Sequence, residues 1–536
     1  MAISALLLAA ACTGPATQPQ PPGEPDGSSE ARPLGPRLEA QAAIACALPE
    51  GQLERIRNGY DPDRSGDIVV IPKEPSYFEG GGLPHSGPWD YLQRVPLMLY
   101  GPGYVRRVGK ISTPVTLADV APTLAELLGF PFQAADGTPM TKALLPGAAR
   151  AVPPRLIVVV VWDAGGRDVL AAWPKEWPHL LGLISGGAWM ENATVGESPS
   201  VTAPVHATIG TGAYSRTTGI PDNDVRLNGH IVNPWLYGPA ILETPTLADL
   251  YDPANGNRPL IGAIGATPWH LGMIGHGSER PGGDRDVALI RGGDEPEWTV
   301  AHVDRPFYRS PRYANRVPGF GADERMADLL DGNLDGAWRG YPIQSLDRGF
   351  DTPARLPYET RVVDTVIARE GFGADQMPDL LYVNYKLIDH VGHVFDLNSL
   401  EMRDTLRVQD RQLPPLIRTL NRRVGDGKWV LVVTADHGAT PDHHDSHAFP
   451  ISHAQLVSDL ARRFDDSDRR PVFELVKGTQ IFVNGAELHR NEYTLADVTG
   501  FLLRYTKGMS LEHPRRIAAG ERNDRVFSAA FPASML

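Results

Sequence analysis

Residues 155–163 read RLIVVVVWD, an uninterrupted apolar run between Arg155 and Asp163. It is too short for a membrane span, β-branched almost throughout and apolar on both faces, which is how a strand buried in a parallel sheet reads. Three more runs share that character: DLLYVNY between Pro378 and Lys386, VLVVTA between Trp429 and Asp436, and VPLMLYG between Arg94 and Pro102. Gly or Pro close behind favours strand over buried helix. Helical patterns lie between them, LADVAPTLAELL at 117–128 and the stretch at 400–420. Strands alternating with helices predict an α/β fold, a three-layer α/β/α sandwich with a mostly parallel central sheet. Residues 221–377, rich in Gly, Pro, Asp, Arg and Trp and weakly periodic, read as an insertion that caps a pocket.

The 536 residues carry 51 Lys and Arg against 64 Asp and Glu, a net charge of −13, so no polyanion-binding surface and no nucleic-acid polymer partner is implied. Hydrophobic residues at 42% and charged residues at 21% are globular values, and one large decorated α/β domain accommodates the length. The only cysteines, Cys12 and Cys46, exclude a disulfide scaffold and a thiolate metal site. Any metal must be held by His and carboxylates.

Residues 1–11, MAISALLLAAA, run into Cys12 and read as a signal segment ending at a lipid-attachment cysteine. That predicts an extracytoplasmic, lipid-anchored protein at a cell surface or in a periplasm. Thr13 to Arg37 has the Pro, Gly, Ser and Gln content of a tether. The competing reading is an ordinary N-terminus, because no Lys or Arg precedes the apolar stretch. The expected organisation is signal and tether over 1–40 and one catalytic domain over 41–536. With Cys12 lipidated, Cys46 is a lone thiol, a small buried hydrophobe rather than a nucleophile.

Three of the strands end in potential metal ligands: Asp163, then Asp389 with His393, then Asp436 with His437. Ligand sites in open α/β sheets lie at the carboxyl ends of strands. The spacing of Asp389 and His393 stacks both on one helix face. Oxygen and nitrogen donors without thiolate suit zinc and admit manganese or iron. Singly these are weak signals, since a strand-end Asp commonly caps a helix and a lone His is commonly a satisfied polar residue. As a set they are specific. Between them lies ESPSVTAPVHATIGTGAYSRTTGIP at 197–221, where a hydroxyl at a loop-to-helix junction meets N–H groups that favour an anion. Thr202, Ser198 and Ser200 compete for that role, and Thr202 can equally be a helix cap.

Asp163, Thr202 within SVTAPVH, Asp389-x-x-x-His393 and Asp436-His437-Gly438 together resemble the alkaline phosphatase superfamily, most closely its type I phosphodiesterase and nucleotide pyrophosphatase branch, over residues 155–453. The resemblance implies Thr202 as nucleophile and two divalent ions, zinc first. One would be held by Asp163, Thr202, Asp436 and His437, the other by Asp389, His393 and one further histidine. In the usual family order that histidine follows the Asp-His pair. Here GDIVVIPKEPSYFEGGGLPHSGPWDYLQRVPLMLYGPGYV at 66–105 and PVTLADVAPTLAELLG at 114–129 look like the family's closing segment. A circular permutation follows, with 50–150 as the moved segment and His85 as the ligand. The C-terminal TQIFVNGAELHRNEYTLADVTGFLLRY and RVFSAAFPASML resemble what normally runs into it. The competing ligand source is DHHDSHAFPISH at 442–453, with His443, His444, His447 and His453.

The family implies a metal-dependent phosphoric ester hydrolase that passes through a phosphothreonine. Asn223, within Gly219-IPDN, would contact developing charge together with the Thr202 N–H, its alternative being a turn residue. Monoester-specific relatives carry a Lys-x-Arg pair. The matching place here is Gly283-Asp284-Arg285, so Arg285 is a candidate substrate contact and the lysine is absent. One fewer cation favours a monoanionic diester. The expected function is therefore phosphodiesterase or nucleotide pyrophosphatase on a small-molecule phosphate ester, with phosphomonoesterase or phosphonate hydrolase as alternatives. A silent surface binding protein on the same fold is the non-enzymatic alternative. A sulfatase is disfavoured, because Thr202 is followed by Ala203-Pro204-Val205 rather than a C/S-x-P-x-R motif. Trp235, Tyr237, Trp269 and Trp298 are candidates for stacking on an aryl group or base, or for local core. None of these motifs specifies the oligomeric state.

Overall fold

The computed structural model describes residues 36–79, 85–147, 152–291, 297–318, 320–343, 352–441, 448–466, 470–510 and 517–536. Cys12, the signal segment, the tether as far as residue 35, and His443, His444 and His447 lie outside the described residues, while residues 36–40 of the expected tether begin the helix Pro36–Cys46.

The strands that position the site are β1 (Ile68–Pro72), β2 (Leu97–Tyr100), β3 (Gly109–Ile111), β4 (Leu156–Trp162), β5 (Ala188–Met190), β6 (Ile261–Gly265), β7 (Asp286–Ile290), β8 (Tyr308–Arg309), β9 (Asp379–Tyr385), β10 (Trp429–Thr434), β11 (Phe473–Val476), β12 (Gln480–Val483) and β13 (Phe527–Pro532). The main sheet has nine strands in the order β8-β7-β6-β9-β4-β10-β2-β5-β3. RLIVVVVWD supplies its centre: Val158 of β4 pairs in parallel with Leu381 of β9 on one side and Leu431 of β10 on the other.

Side-chain alternation along β4 sends Ile157, Val159 and Val161 into one core and Leu156, Val158, Val160 and Trp162 into another. The first core is closed by helices α1 (Val120–Leu128) and α2 (Thr202–Thr211), the second by α3 (Arg355–Val366), α4 (Leu400–Asp410) and α5 (Leu413–Arg423). Both faces are covered, so the strands are apolar throughout, and the three-layer architecture is the expected one.

Two expectations are corrected. VPLMLYG forms β2, which runs antiparallel to both β10 and β5, because an apolar run encodes burial but not direction. Residues 221–377 are more than a cap, since they supply the parallel strands β6, β7 and β8 at one edge of the main sheet. Their strand signal is faint because β6 reads IGAIG, with small residues that lie under the Phe372 and Leu381 side chains.

A second sheet, β11-β12-β1-β13, is antiparallel throughout and places β1 between two C-terminal strands. Ala533 donates its N–H to the Asp67 carbonyl at 2.8 Å, closing the C-terminus onto the start of β1. Cys46 is disulfide-bonded rather than a lone thiol. Among the described residues no helix is long and apolar enough to cross a membrane.

Candidate active site

The carboxyl ends of β9, β4 and β10 lie side by side, and each delivers its ligands within a few residues of the strand. Asp163 follows Trp162 directly, Asp436 and His437 follow Thr434, and Asp389 and His393 share one face of α6 (Leu387–Val394).

The two flanking loops touch through glycines: a Cβ on Gly166 would sit 2.4 Å from the Gly438 Cα, and one on Gly438 would sit 2.0 Å from the Tyr91 carbonyl oxygen. Only glycine allows that approach. Thr202 is the first residue of α2, a helix buried along its whole length and ended by Gly212 in the left-handed conformation at φ 67°. Gly210 lets that helix lie on the backbone of residues 272 and 273, since a Cβ there would meet the Met273 carbonyl at 2.6 Å. Glu197 fixes its start, accepting from Thr208 Oγ1 at 2.6 Å and from the Ser215 N–H at 2.7 Å. Burial pushes the Glu197 carboxyl up to about 7.

Two sets of donor atoms converge around Thr202. In the first, His437 Nε2 is 3.6 Å from both Asp163 Oδ1 and Asp436 Oδ2. In the second, His85 Nε2 and His393 Nε2 each lie 3.4 Å from Asp389 Oδ1. A tetrahedral ion with bonds of about 2.0–2.1 Å holds its donors about 3.3 Å apart. Asp163, Asp436 and His437 converge closely enough to share an ion, and so do His85, Asp389 and His437, while His393 joins through its contact with Asp389. The lone pairs are aimed correctly. His437 Nδ1 bonds the Gly438 carbonyl at 2.9 Å and His85 Nδ1 the Ser200 carbonyl at 3.3 Å, which puts the proton on Nδ1 and leaves Nε2 free to ligate. Burial, then the neighbouring His437, hold the His85 pKa well below its ordinary value. Asp389 Oδ1, Asp436 Oδ2 and His437 Nε2 are buried and have no hydrogen-bond partner among the described residues, an arrangement that costs stability unless a cation sits among them. The donor chemistry therefore fits bound metal ions.

His206 and His270 approach Asp163 from the other side, and these three form a further ligand-like cluster. There the Asn384 Nδ2 amide donates to Asp163 Oδ2 at 3.0 Å and bonds His206 Nε2 at 3.1 Å, while His206 Nδ1 bonds the Thr202 carbonyl at 2.7 Å. That cluster is a hydrogen-bonded support for Asp163 and for the first turn of α2.

The sequence-based reading missed Lys386. Its Nζ is buried and donates to Asp163 Oδ1 at 2.7 Å, to Thr202 Oγ1 at 2.9 Å and to Asp389 Oδ2 at 2.8 Å. Burial alone would lower its pKa, but the Asp163, Asp389 and Asp436 carboxylates win and raise it. Burial and the Asp436 carboxylate push Asp163 upward against the pull of that ammonium, whereas Asp389 is held well below its ordinary value by Lys386 despite burial. The available signal was a charged residue ending a buried seven-residue strand, DLLYVNY. Lys477, at the β11–β12 turn and far away in sequence, also lines the cleft and pairs with Asp224.

The cleft over Thr202 has a volume of about 480 Å³, and Asn223, Trp269 and His453 line it as well. Asn223 Oδ1 accepts the Ala203 N–H at 2.9 Å, which leaves the amide Nδ2 as its remaining donor. Of the four aromatic candidates only Trp269 lines the cleft. Trp235 and Trp298 are core, and Tyr237 is exposed. Ser200 spends its hydroxyl on the His85 and Gly87 carbonyls at 3.2 and 3.4 Å, and Ser198 is not among the cleft residues. Arg285 is not brought to the site: its guanidinium is spent on the Tyr308 and Arg305 carbonyls. The loose local pattern around Gly283 carried that expectation and the fold does not honour it. A larger cleft of about 1120 Å³, lined by residues such as Arg55, Asp90, Arg167 and Glu191, contains none of the convergent donors.

The sequence model described as type I phosphodiesterase / nucleotide pyrophosphatase matches residues 157–516. Alkaline phosphatase PhoV of Synechococcus elongatus is 23% identical over 343 residues, covering 54% of this chain and 59% of that protein. Alkaline phosphatase PafA of Elizabethkingia meningoseptica is 26% identical over 161 residues, covering 29% and 30%. The chain thus spans less than two thirds of the length of these curated relatives. The crystal structure of wild type alkaline phosphatase PafA is similar in fold, with a TM-score of 0.50 at 17% identity, over 71% of this chain and 84% of that one.

Proposed function

This chain belongs to the type I phosphodiesterase / nucleotide pyrophosphatase family, within the alkaline phosphatase superfamily, and on that premise we propose that it hydrolyses phosphoric esters through Thr202. The observation that carries the reading is that Thr202 Oγ1 accepts from the same Lys386 ammonium that bonds Asp163 and Asp389, one carboxylate from each donor set. Asp163, Thr202, Asp436 and His437 would hold one ion and His85, Asp389 and His393 the other. Bound there, two divalent cations, zinc first by donor type, supply Lewis-acid charge for the nucleophile and for the phosphoryl oxygens.

The chain's own groups do the rest. Thr202 Oγ attacks phosphorus in line; the Oγ–P bond forms as the ester P–O bond breaks, and the alcohol departs. Water then attacks the same phosphorus and Thr202 Oγ leaves, so one ester bond and one water are consumed and two inversions give net retention. The Thr202 N–H at the start of α2 and the Asn223 amide are the donors for developing charge. Asn384 and His206 hold Asp163 and the first turn of α2 in place.

The family supports a diester or pyrophosphate substrate. A phosphomonoester is the second reading, favoured by one observation: Lys386 lines the cleft beside Thr202, a cation that the Gly283-Asp284-Arg285 place does not supply. Moving 50–150 to the front of the family order belongs to the same proposal, supported by His85 reaching Asp389 and by β1 lying between β12 and β13. An extracytoplasmic location is supported by the leader-like N-terminus and by a disulfide at Cys46, which persists in oxidising compartments. Acid quenching during turnover followed by peptide mass spectrometry tests the chemistry: the expected result is a phosphoryl group on Thr202, and a phosphoryl group on any other residue rejects the assignment.

A further inference from the structure

Lys386 spends all three ammonium hydrogens inside the site, on Asp163, Asp389 and the nucleophile oxygen itself. We propose that Lys386 is a specificity-determining catalytic residue, a fixed cation on Thr202 Oγ1 that matches the site to the dianion of a phosphate monoester. The inference rests on Thr202 being the nucleophile.

Lys386 does not take the place of a metal. It uses Asp389 Oδ2 and leaves Oδ1 to His85 and His393, and it leaves Asp436 Oδ2 and His437 Nε2 unpartnered. The one donor it shares with a metal set besides Thr202 is Asp163 Oδ1, and a carboxylate oxygen has a second lone pair. The ammonium is therefore a charge additional to the donor sets, held by Asp163, Asp389 and Thr202.

Charge matching gives the consequence. The floor carries three carboxylates, Asp163, Asp389 and Asp436, and one ammonium, and histidines that ligate an ion do so as neutral imidazoles. With two divalent ions the floor is left with two positive charges, which a dianionic monoester neutralises and a monoanionic diester does not. A neutral side chain at 386 would leave one, the complement of a diester. The rim does not alter the balance, since Lys477 is paired with Asp224 and also faces Asp222, whose carboxyl burial pushes up to about 6. Because Nζ is 2.9 Å from Thr202 Oγ1, a phosphoryl group on that oxygen lies directly beside the ammonium, where a charge-assisted hydrogen bond to it is available.

The test compares wild type with Lys386→Met and Lys386→Arg, each brought to the same zinc content by elemental analysis. Three quantities are read: kcat/KM on p-nitrophenyl phosphate, kcat/KM on bis-p-nitrophenyl phosphate, and inhibition by inorganic phosphate. Lys386→Met is expected to lower the monoester-to-diester ratio by about tenfold to a hundredfold and to weaken phosphate inhibition by a similar factor, the scale of one charge-assisted contact. Lys386→Arg is expected to recover most of both. The proposal is overturned if the two esters fall together, or if phosphate inhibition is unchanged. If Lys386→Met does not fold, Lys386→Gln, which keeps an N–H for Thr202, carries the same comparison under the same criteria. Thr202→Ala separates the two readings: turnover surviving in that variant rejects the nucleophile, while its loss together with an unchanged ester ratio at Lys386 rejects only the role of the lysine.

Discussion

His85 arrives from a segment more than 300 positions away in sequence from Asp389, yet its Nε2 lies 3.4 Å from that carboxylate with the tautomer fixed by the Ser200 carbonyl. A ligand so oriented contributes to affinity only if the ion is there, so its removal is read directly as metal content. His85→Ala is expected to lower bound zinc from about two to about one per chain, measured by elemental analysis after dialysis, with the thermal transition retained. Unchanged stoichiometry would return the role to the histidines of the 442–453 loop. At this scale the sequence was readable wherever a ligand closes a strand: Asp163, Asp389, His393, Asp436 and His437 all converge. Lys386 was not, because a lysine carries no ligand signature and its meaning comes from Asp163 and Thr202, which meet it only in the fold.

Helix α2 presents Thr202 from a fully buried position, and its anchor is a carboxylate without a cationic partner. Glu197 accepts from Thr208 and Ser215, and burial raises its pKa from 4.5 to about 7. For an acid whose folded pKa exceeds the unfolded one, the folded state binds the extra proton, so the favourable contribution is complete below about 4.5 and is lost as pH rises through about 7. The span corresponds to about 3 kcal/mol. Wild type is expected to lose melting temperature between about pH 5 and about pH 8, and Glu197→Gln to flatten that slope; parallel profiles for the two proteins would show that Glu197 is not the group responsible. Among the elements, the four long apolar runs and the two helical patterns were legible because burial on both faces leaves a continuous signal. Direction was not, as β2 demonstrates, and neither were β6 to β8, whose small or charged residues earn their burial only beside neighbours such as Phe372.

The whole molecule is arranged so that two sheets deliver to one cleft. The main sheet supplies Asp163, Asp389, His393, Asp436 and His437, while the second sheet brings Lys477 at its β11–β12 turn and carries β1, seventeen residues or fewer ahead of His85. The pairing of β1 with β12 and β13 ties the front of the chain to its end, which is the arrangement a permuted order requires and which surface termini permit. The α/β class was legible because buried strands leave a local signal, and the candidate ligands at strand ends could be named from local spacing; the edge of the sheet and the charge of the cleft were not legible, because both are made by segments distant in sequence. The central claim is that Thr202 is the nucleophile of a metal-dependent phosphoric ester hydrolase. Its most direct test is the initial rate of zinc-loaded wild type and Thr202→Ala on bis-p-nitrophenyl phosphate and p-nitrophenyl phosphate. The account predicts that the variant loses at least about a thousandfold on whichever ester wild type prefers, with its zinc and fold retained. A variant within about tenfold of wild type on that ester would contradict it.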